Sequence, residues 1–155
     1  MLLTLILLLM HKHLKTSGND IDYVPPGFFE NITNLTVLDF GDNHLSTLVH
    51  QASEAEYSRR RNLLGGDANT STISIFHSLT KLKKLWVDTN HLDGVLANES
   101  LQGPVFLEYL DLSYNTISLW NFNNTGSRLV AVNGGSSAFS WTPELMQLYL
   151  RGVYS

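Results

Sequence analysis

His11 and His13 flank Lys12, and an alternating pair of this kind puts two imidazoles on one side of an extended strand, where a third donor would complete a metal site. An exposed first strand accounts for the same pair without a metal, and no metal site is assigned. His44 and His91 each follow an asparagine and precede a leucine, so repetition of a sequence unit explains them without chemistry. The chain contains no G-x-S-x-G, no H-E-x-x-H, no P-loop and no G-x-G-x-x-G. It has no cysteine, which removes disulfides, thiolate nucleophiles and cysteine-ligated zinc. No catalytic residue and no cofactor site is assigned, and the chain reads as a non-enzyme.

What recurs is an amide set among leucines. Leu107, Leu110, Leu112, Asn115 and Ile117 form one array. Leu35, Leu38, Phe40, Asn43 and Leu45 repeat it, as do Leu82, Leu85, Val87, Asn90 and Leu92. In an extended strand the two apolar residues two apart share one face, and the residue between them points to the other. The asparagine stands where the chain must bend, and its amide can donate to and accept from backbone groups that the bend leaves unpaired. A degraded copy lies upstream at His11, Leu14, Thr16, Asn19 and Ile21, and a fifth begins at Leu145, Leu148 and Leu150. Asn19, Asn43, Asn90 and Asn115 are separated by 24, 47 and 25 positions, so one unit is near 24 residues and the middle interval is close to two. Phe29, Phe76 and Phe139 each precede the first leucine of a unit by six.

This spacing resembles the leucine-rich-repeat family. The stretch from Val24 through Pro25, Pro26, Gly27, Phe28 and Phe29 to Leu35 is similar to the extracellular type of that family, which builds Toll-like receptor ectodomains. The resemblance implies an α/β solenoid: a leucine-rich-repeat horseshoe with a short parallel concave sheet and an irregular convex side. It also implies a recognition module and carries no activity of its own.

At 43% hydrophobic and 15% charged, the chain can bury a continuous core, and 155 residues make one domain. A net charge of −4 gives no basic footprint, so nucleic acid is not expected as a partner. Residues 1–10 are an apolar run, shorter than the ~20 residues of a spanning helix, and read either as a leader or as an N-terminal cap. Residues 11–155 form the repeat domain, with four to six units. The pattern is irregular at 51–75, where Glu54, Glu56, Arg59 and Arg60 suit a solvated helix face, and again at 121–140. The first irregular tract is either a degenerate unit or a single unit carrying a loop.

Five N-x-S/T sequons, at Asn31, Asn34, Asn69, Asn98 and Asn123, lie outside the strand cores. They favour the secretory route and an extracellular or cell-surface place; a cytoplasmic one is the alternative.

The outward positions of the repeat define three rows across the sheet. One is Val37, Lys84, Tyr109 and Gln147; the next is Asp39, Trp86, Asp111 and Tyr149; the third is Gly41, Asp88, Ser113 and Arg151. Aromatics displayed outward bring contact area with little loss of side-chain freedom. Asp39, Lys84, Trp86, Asp88, Tyr109, Asp111 and Tyr149 are therefore the expected binding residues for a protein or glycan ligand. Asn19, Asn43, Asn90 and Asn115 are expected to form a structural ladder. Two other readings compete: an intracellular scaffold, and a piece of a larger receptor that reaches a membrane only through other parts of the parent chain. The last strand, unpaired on one side, would allow self-association.

Overall fold

The computed structural model describes residues 12–53, 72–94, 96–118 and 138–153. Five three-residue strands form one parallel sheet: β1 (His13–Lys15), β2 (Val37–Asp39), β5 (Lys84–Trp86), β7 (Tyr109–Asp111) and β9 (Gln147–Tyr149). Their register aligns Leu14, Leu38, Leu85, Leu110 and Leu148 as successive rungs. The three central leucines of that row are fully buried. Behind them, Leu35, Leu82 and Leu107 form a second row, and Phe40, Val87 and Leu112 a third. In the outer described coils the equivalent Leu14, Leu145, Leu148 and Leu150 are only partly buried, because each has a described coil on one side alone. Full burial of a leucine is worth roughly 1.5–3 kcal/mol, so the central coils hold the stack.

The return path is made of three-residue turns at matching places. The amide of Leu35 donates to Ile32 O, that of Leu82 to Leu79 O, that of Leu107 to Pro104 O and that of Leu145 to Thr142 O. Phe29 and Phe76 fill the space beneath these turns with ring centroids 6.4 Å apart. Leu101, also fully buried, takes the same place six residues before Leu107. Among the described residues the convex side contains turns and one 3-10 helix, Ala138–Trp141, and no α-helix.

The topology resolves the 47-residue interval. Strands β2 and β5 are direct neighbours in the sheet, so this interval is one coil carrying an excursion and not two stacked coils. The strands β3 (Val49–Gln51) and β4 (Thr72–Ser74) pair antiparallel and close the base of the excursion. Ile73, Ser74 and Ile75 are already buried, so the irregular tract is narrower than its sequence suggests. The helix face expected at Glu54 to Arg60 lies outside the described residues. Strands β7 and β9 are likewise neighbours, so the second irregular tract also belongs to a single coil. Two further short strands, β6 (Asp93–Gly94) and β8 (Thr116–Ile117), pair in parallel beyond the turn.

Each coil leaves the sheet through a bend whose penultimate residue has a left-handed backbone: Gly18 (φ 72°), Asp42 (52°), Thr89 (51°) and Tyr114 (56°). The next residue is the repeat asparagine. Asn115 Nδ2 donates to Val87 O of the preceding coil at 2.9 Å and to Leu112 O and Ser113 O of its own, while its Oδ1 accepts from Leu92 N at 3.1 Å. Asn90 repeats this with Phe40 O, Val87 O, Asp88 O and Leu45 N. Asn43 does so with Thr16 O, Phe40 O, Gly41 O and Ile21 N. These three are buried. Asn19 keeps the two bonds within its own bend, to Thr16 O and Ser17 O, but is exposed. It departs from the buried ladder expected of it because no described coil packs on its outer side.

Candidate recognition surface on the concave sheet

Alternation along three-residue strands turns one residue inward and leaves its two neighbours facing out. The register therefore sets His13, Val37, Lys84, Tyr109 and Gln147 side by side, and Lys15, Asp39, Trp86, Asp111 and Tyr149 beside them. The third row follows from backbone bonds between adjacent coils: Asp42 N to Asp88 O, Thr89 N to Ser113 O and Tyr114 N to Arg151 O. Ser113 Oγ also accepts from Arg151 N at 3.1 Å.

Three rings cross the last three strands as one stripe. Trp86 and Tyr109 have centroids 4.6 Å apart at 37°, and Tyr109 and Tyr149 are 5.1 Å apart at 34°. Such tilted, offset contacts suit the aromatic quadrupole. Trp86 and Tyr109 are half-buried by each other, and Tyr149 is 46% exposed. Burial, then the Asp111 carboxylate, pushes the Tyr109 phenol above its ordinary value near 10. Tyr109 is therefore a neutral hydrogen-bonding group at physiological pH.

The carboxylates do not share one role. Asp39 Oδ1 accepts from Gly41 N at 3.1 Å, and Asp111 Oδ1 accepts from Ser113 N at 2.9 Å, so both close the bend after their strands. In the coil between them Trp86 occupies that same slot, which gives up the turn-closing bond for an outward ring. Asp88 stands where the flanking coils have Gly41 and Ser113. Its carboxyl is raised from the ordinary 3.8 by burial first, then by repulsion from Asp111 and Asp39, with Thr89 Oγ1 opposing. Gly41 gives this carboxylate room: a Cβ there would lie 2.6 Å from Asp88 Oδ1 and 3.4 Å from Asp39 Oδ1. The turn-closing duty of Asp39 and Asp111 and the room that Gly41 leaves for the Asp88 carboxylate went unread in the sequence, although the i, i+2 spacing of Asp39 and Gly41 was visible there.

Lys84 is exposed on the same face, beside Tyr109. Asn31, Asn34 and Asn98 are exposed away from the strands, and Asn34 Oδ1 accepts from Lys81 Nζ at 2.7 Å. Asn69, Asn123 and His11 lie outside the described residues, as does the apolar run 1–10. His13 is exposed on β1, and His44 and His91, in equivalent slots of adjacent coils, have ring centroids 5.0 Å apart with the rings tilted by 40°.

Residues 106–127 match the family model described as Leucine Rich Repeat. The chain also resembles in fold a chain in the structure of the Toll–Spatzle complex, which is described as a molecular hub in Drosophila development and innate immunity. The TM-score is 0.62, over 90% of this chain and 15% of that one, at 22% sequence identity. The fold is a leucine-rich-repeat solenoid. No curated protein sequence matches the chain. At that identity the likeness to the Toll–Spatzle chain is one of fold. The chain spans about 15% of the length of that neighbour.

Proposed function

We propose that the concave sheet is a protein-recognition surface centred on Trp86, Tyr109 and Tyr149, bordered by Asp39, Lys84, Asp88 and Asp111. The observation that carries this reading is the stacked aromatic stripe, with Trp86 in a slot where the neighbouring coils hold a turn-closing aspartate. Buried aromatics at the centre of an interface supply most of its energy, and charged groups at the rim set register and partner choice. The neighbour of similar fold comes from the structure of the Toll–Spatzle complex, which supports reading the surface as one for a protein partner. The reading is non-enzymatic, and the extracellular or cell-surface setting rests on the exposed sequons at Asn31, Asn34 and Asn98.

Trp86→Ala tests the surface. The variant should lose only about 0.5–1.5 kcal/mol of stability, the worth of the stack on Tyr109, while partner affinity falls by about ten-fold or more. Equal damage from Trp86→Ala and Leu110→Ala to folding would refute the assignment of faces. Secretion from a eukaryotic host, with a mass loss on glycosidase treatment, tests the setting; an unglycosylated product kept in the cytosol supports the scaffold reading instead.

A further inference from the structure

Adjacent coils are joined by backbone bonds that recur in a fixed register. The amide of Thr16 donates to Asp39 O, that of Phe40 to Trp86 O, that of Val87 to Asp111 O and that of Leu112 to Tyr149 O. Where the chain enters each strand, Lys12 O accepts from Thr36 N and Val37 N, and Thr36 O from Lys83 N and Lys84 N. Lys83 O then accepts from Glu108 N and Tyr109 N, and Glu108 O from Met146 N and Gln147 N. Among the described residues both series stop at the outer strands. The next donor of the first is Leu150 N, and the next acceptor of the second is Met146 O. At the other edge of the sheet, Lys15 O, Lys12 N and His13 N hold the complementary places. The asparagine ladder stops in the same way. Asn43, Asn90 and Asn115 each donate to the preceding coil, whereas Asn19 bonds only within its own bend. The β1 and β9 edges are thus the two halves of the contact that joins every inner pair of coils.

The apolar surface follows the same division. Leu14 and Ile21 at one end, and Leu148, Leu150 and Val153 at the other, are only partly buried. An apolar hollow of about 200 Å³ borders the first coil, lined by Thr16, Ile21, Tyr23, Val24, Pro25 and Phe28 among others. Thr16 is small where the later coils have Phe40, Val87, Leu112 and Leu150. Continuing the register past β9 brings Leu150 beside it.

Side chains decide which edges meet. Neighbours in one row touch, as Lys83 Nζ does Glu108 Oε1 at 2.6 Å and the Tyr109 ring does that of Tyr149 at 5.1 Å. Two β1 edges would set the basic group Lys12, His13 and Lys15 against itself, and like charges directly opposite are destabilising. A β1 edge on β9 instead places Lys12 beside the exposed Met146, and Lys15 beside the exposed ring of Tyr149, whose face attracts a cation.

We propose that this chain associates head to tail, β1 of one copy adding in parallel to β9 of another and extending the five-stranded sheet. Leu150 N donates to Lys15 O of the added copy, and Met146 O accepts from its Lys12 N and His13 N. Asn19 of the added copy donates to Leu150 O, which completes the ladder. The contact is heterologous, so association continues past a dimer. It uses the edges of the sheet and does not depend on the reading of its concave face.

Sedimentation velocity of the full chain over a wide concentration range tests this, with circular dichroism as the check on folding. His13→Pro blocks the β1 edge, since proline is accepted where a strand amide faces away from its own sheet. Met146→Lys combined with Tyr149→Lys blocks the β9 edge by meeting Lys12 and Lys15 with like charge, at two exposed positions. The parent chain should form species beyond a dimer. Each blocked variant alone should associate about ten-fold more weakly or less, and an equimolar mixture of the two should give a one-to-one dimer and nothing larger. Met146→Glu combined with Tyr149→Glu needs no blocked edge: it should tighten association about ten-fold by pairing with the same two lysines. A parent chain that stays monomeric overturns the inference. So does association that survives either block alone, a mixture of folded blocked variants that stays monomeric, or a glutamate variant that associates no more tightly than the parent.

Discussion

The asparagine row and the aspartate row run side by side through the same bends, and they respond to opposite pressures. Asn43, Asn90 and Asn115 are buried and neutral, and each satisfies backbone groups of two adjacent coils. Asp39, Asp88 and Asp111 are half-buried, and at Asp88 burial first, then the charges of Asp111 and Asp39, raises the cost of ionisation. A neutral amide can repeat from coil to coil because it donates on one side and accepts on the other. Stacked carboxylates only accept, so repetition accumulates repulsion. The first row serves the fold. Asp39 and Asp111 serve it too by closing bends, and Asp88 alone is held against it, which is where groups suited to a partner are found.

The comparison can be broken at several points. Leu110→Ala, behind both rows, should lose about 2–5 kcal/mol of stability in denaturant titration, the range for a large-to-small change in a closed core. Asn115→Ala should lose about 3 kcal/mol, because Leu92 N and Leu112 O lose the partner that Asn115 gives them, at about 1–3 kcal/mol for each group left dry, while Val87 O keeps Asn90 Nδ2 and Ser113 O keeps Thr89 N. A loss below 1 kcal/mol would mean that the ladder is ornamental. Thr89→Gly should gain about 0.5–1 kcal/mol: a β-branched residue at φ 51° is strained by about 1–2 kcal/mol, and glycine's extra freedom when unfolded returns part of it.

The smallest effect is the one that separates the rows. The folded-state pKa of Asp88 lies above its unfolded value, so its favourable contribution is complete below about pH 3.8 and is lost as pH rises through the folded value. Asp88→Asn should therefore raise the melting temperature by about 1–3 °C at pH 7, with the gain shrinking toward zero in acid. A destabilised Asp88→Asn at neutral pH would place Asp88 with the structural groups. The aspartate row would then have no separate character.

Much of this architecture is readable in the chain. The inward leucines, the three outward rows and the asparagine slots all follow from a two-residue alternation repeated at a fixed spacing. The tract between Val49 and Thr72 was ambiguous, because 47 residues suit two plain coils as well as one long one. Only the pairing of Val37 with Lys84 distinguishes them. The left-handed bends were visible at Gly18 and invisible at Thr89 and Tyr114, whose side chains carry no preference for that conformation. At the candidate surface, Trp86, Tyr109 and Tyr149 were identifiable as outward residues. Their contact as one stripe was not, since it depends on rotamers chosen across three strands.

The order of residue types along the chain was sufficient by itself to specify a solenoid, since each unit presents an apolar stripe that only another unit of equal pitch can cover. It also determined which side chains face away from that stripe. Tertiary structure alone decided which units became neighbours, which aspartates close bends, and that Gly41 leaves room for the Asp88 carboxylate of the next coil. Those are contacts between residues up to 47 positions apart, formed when the backbone bonds of separate coils come into register, and no local preference encodes a distance across a sheet.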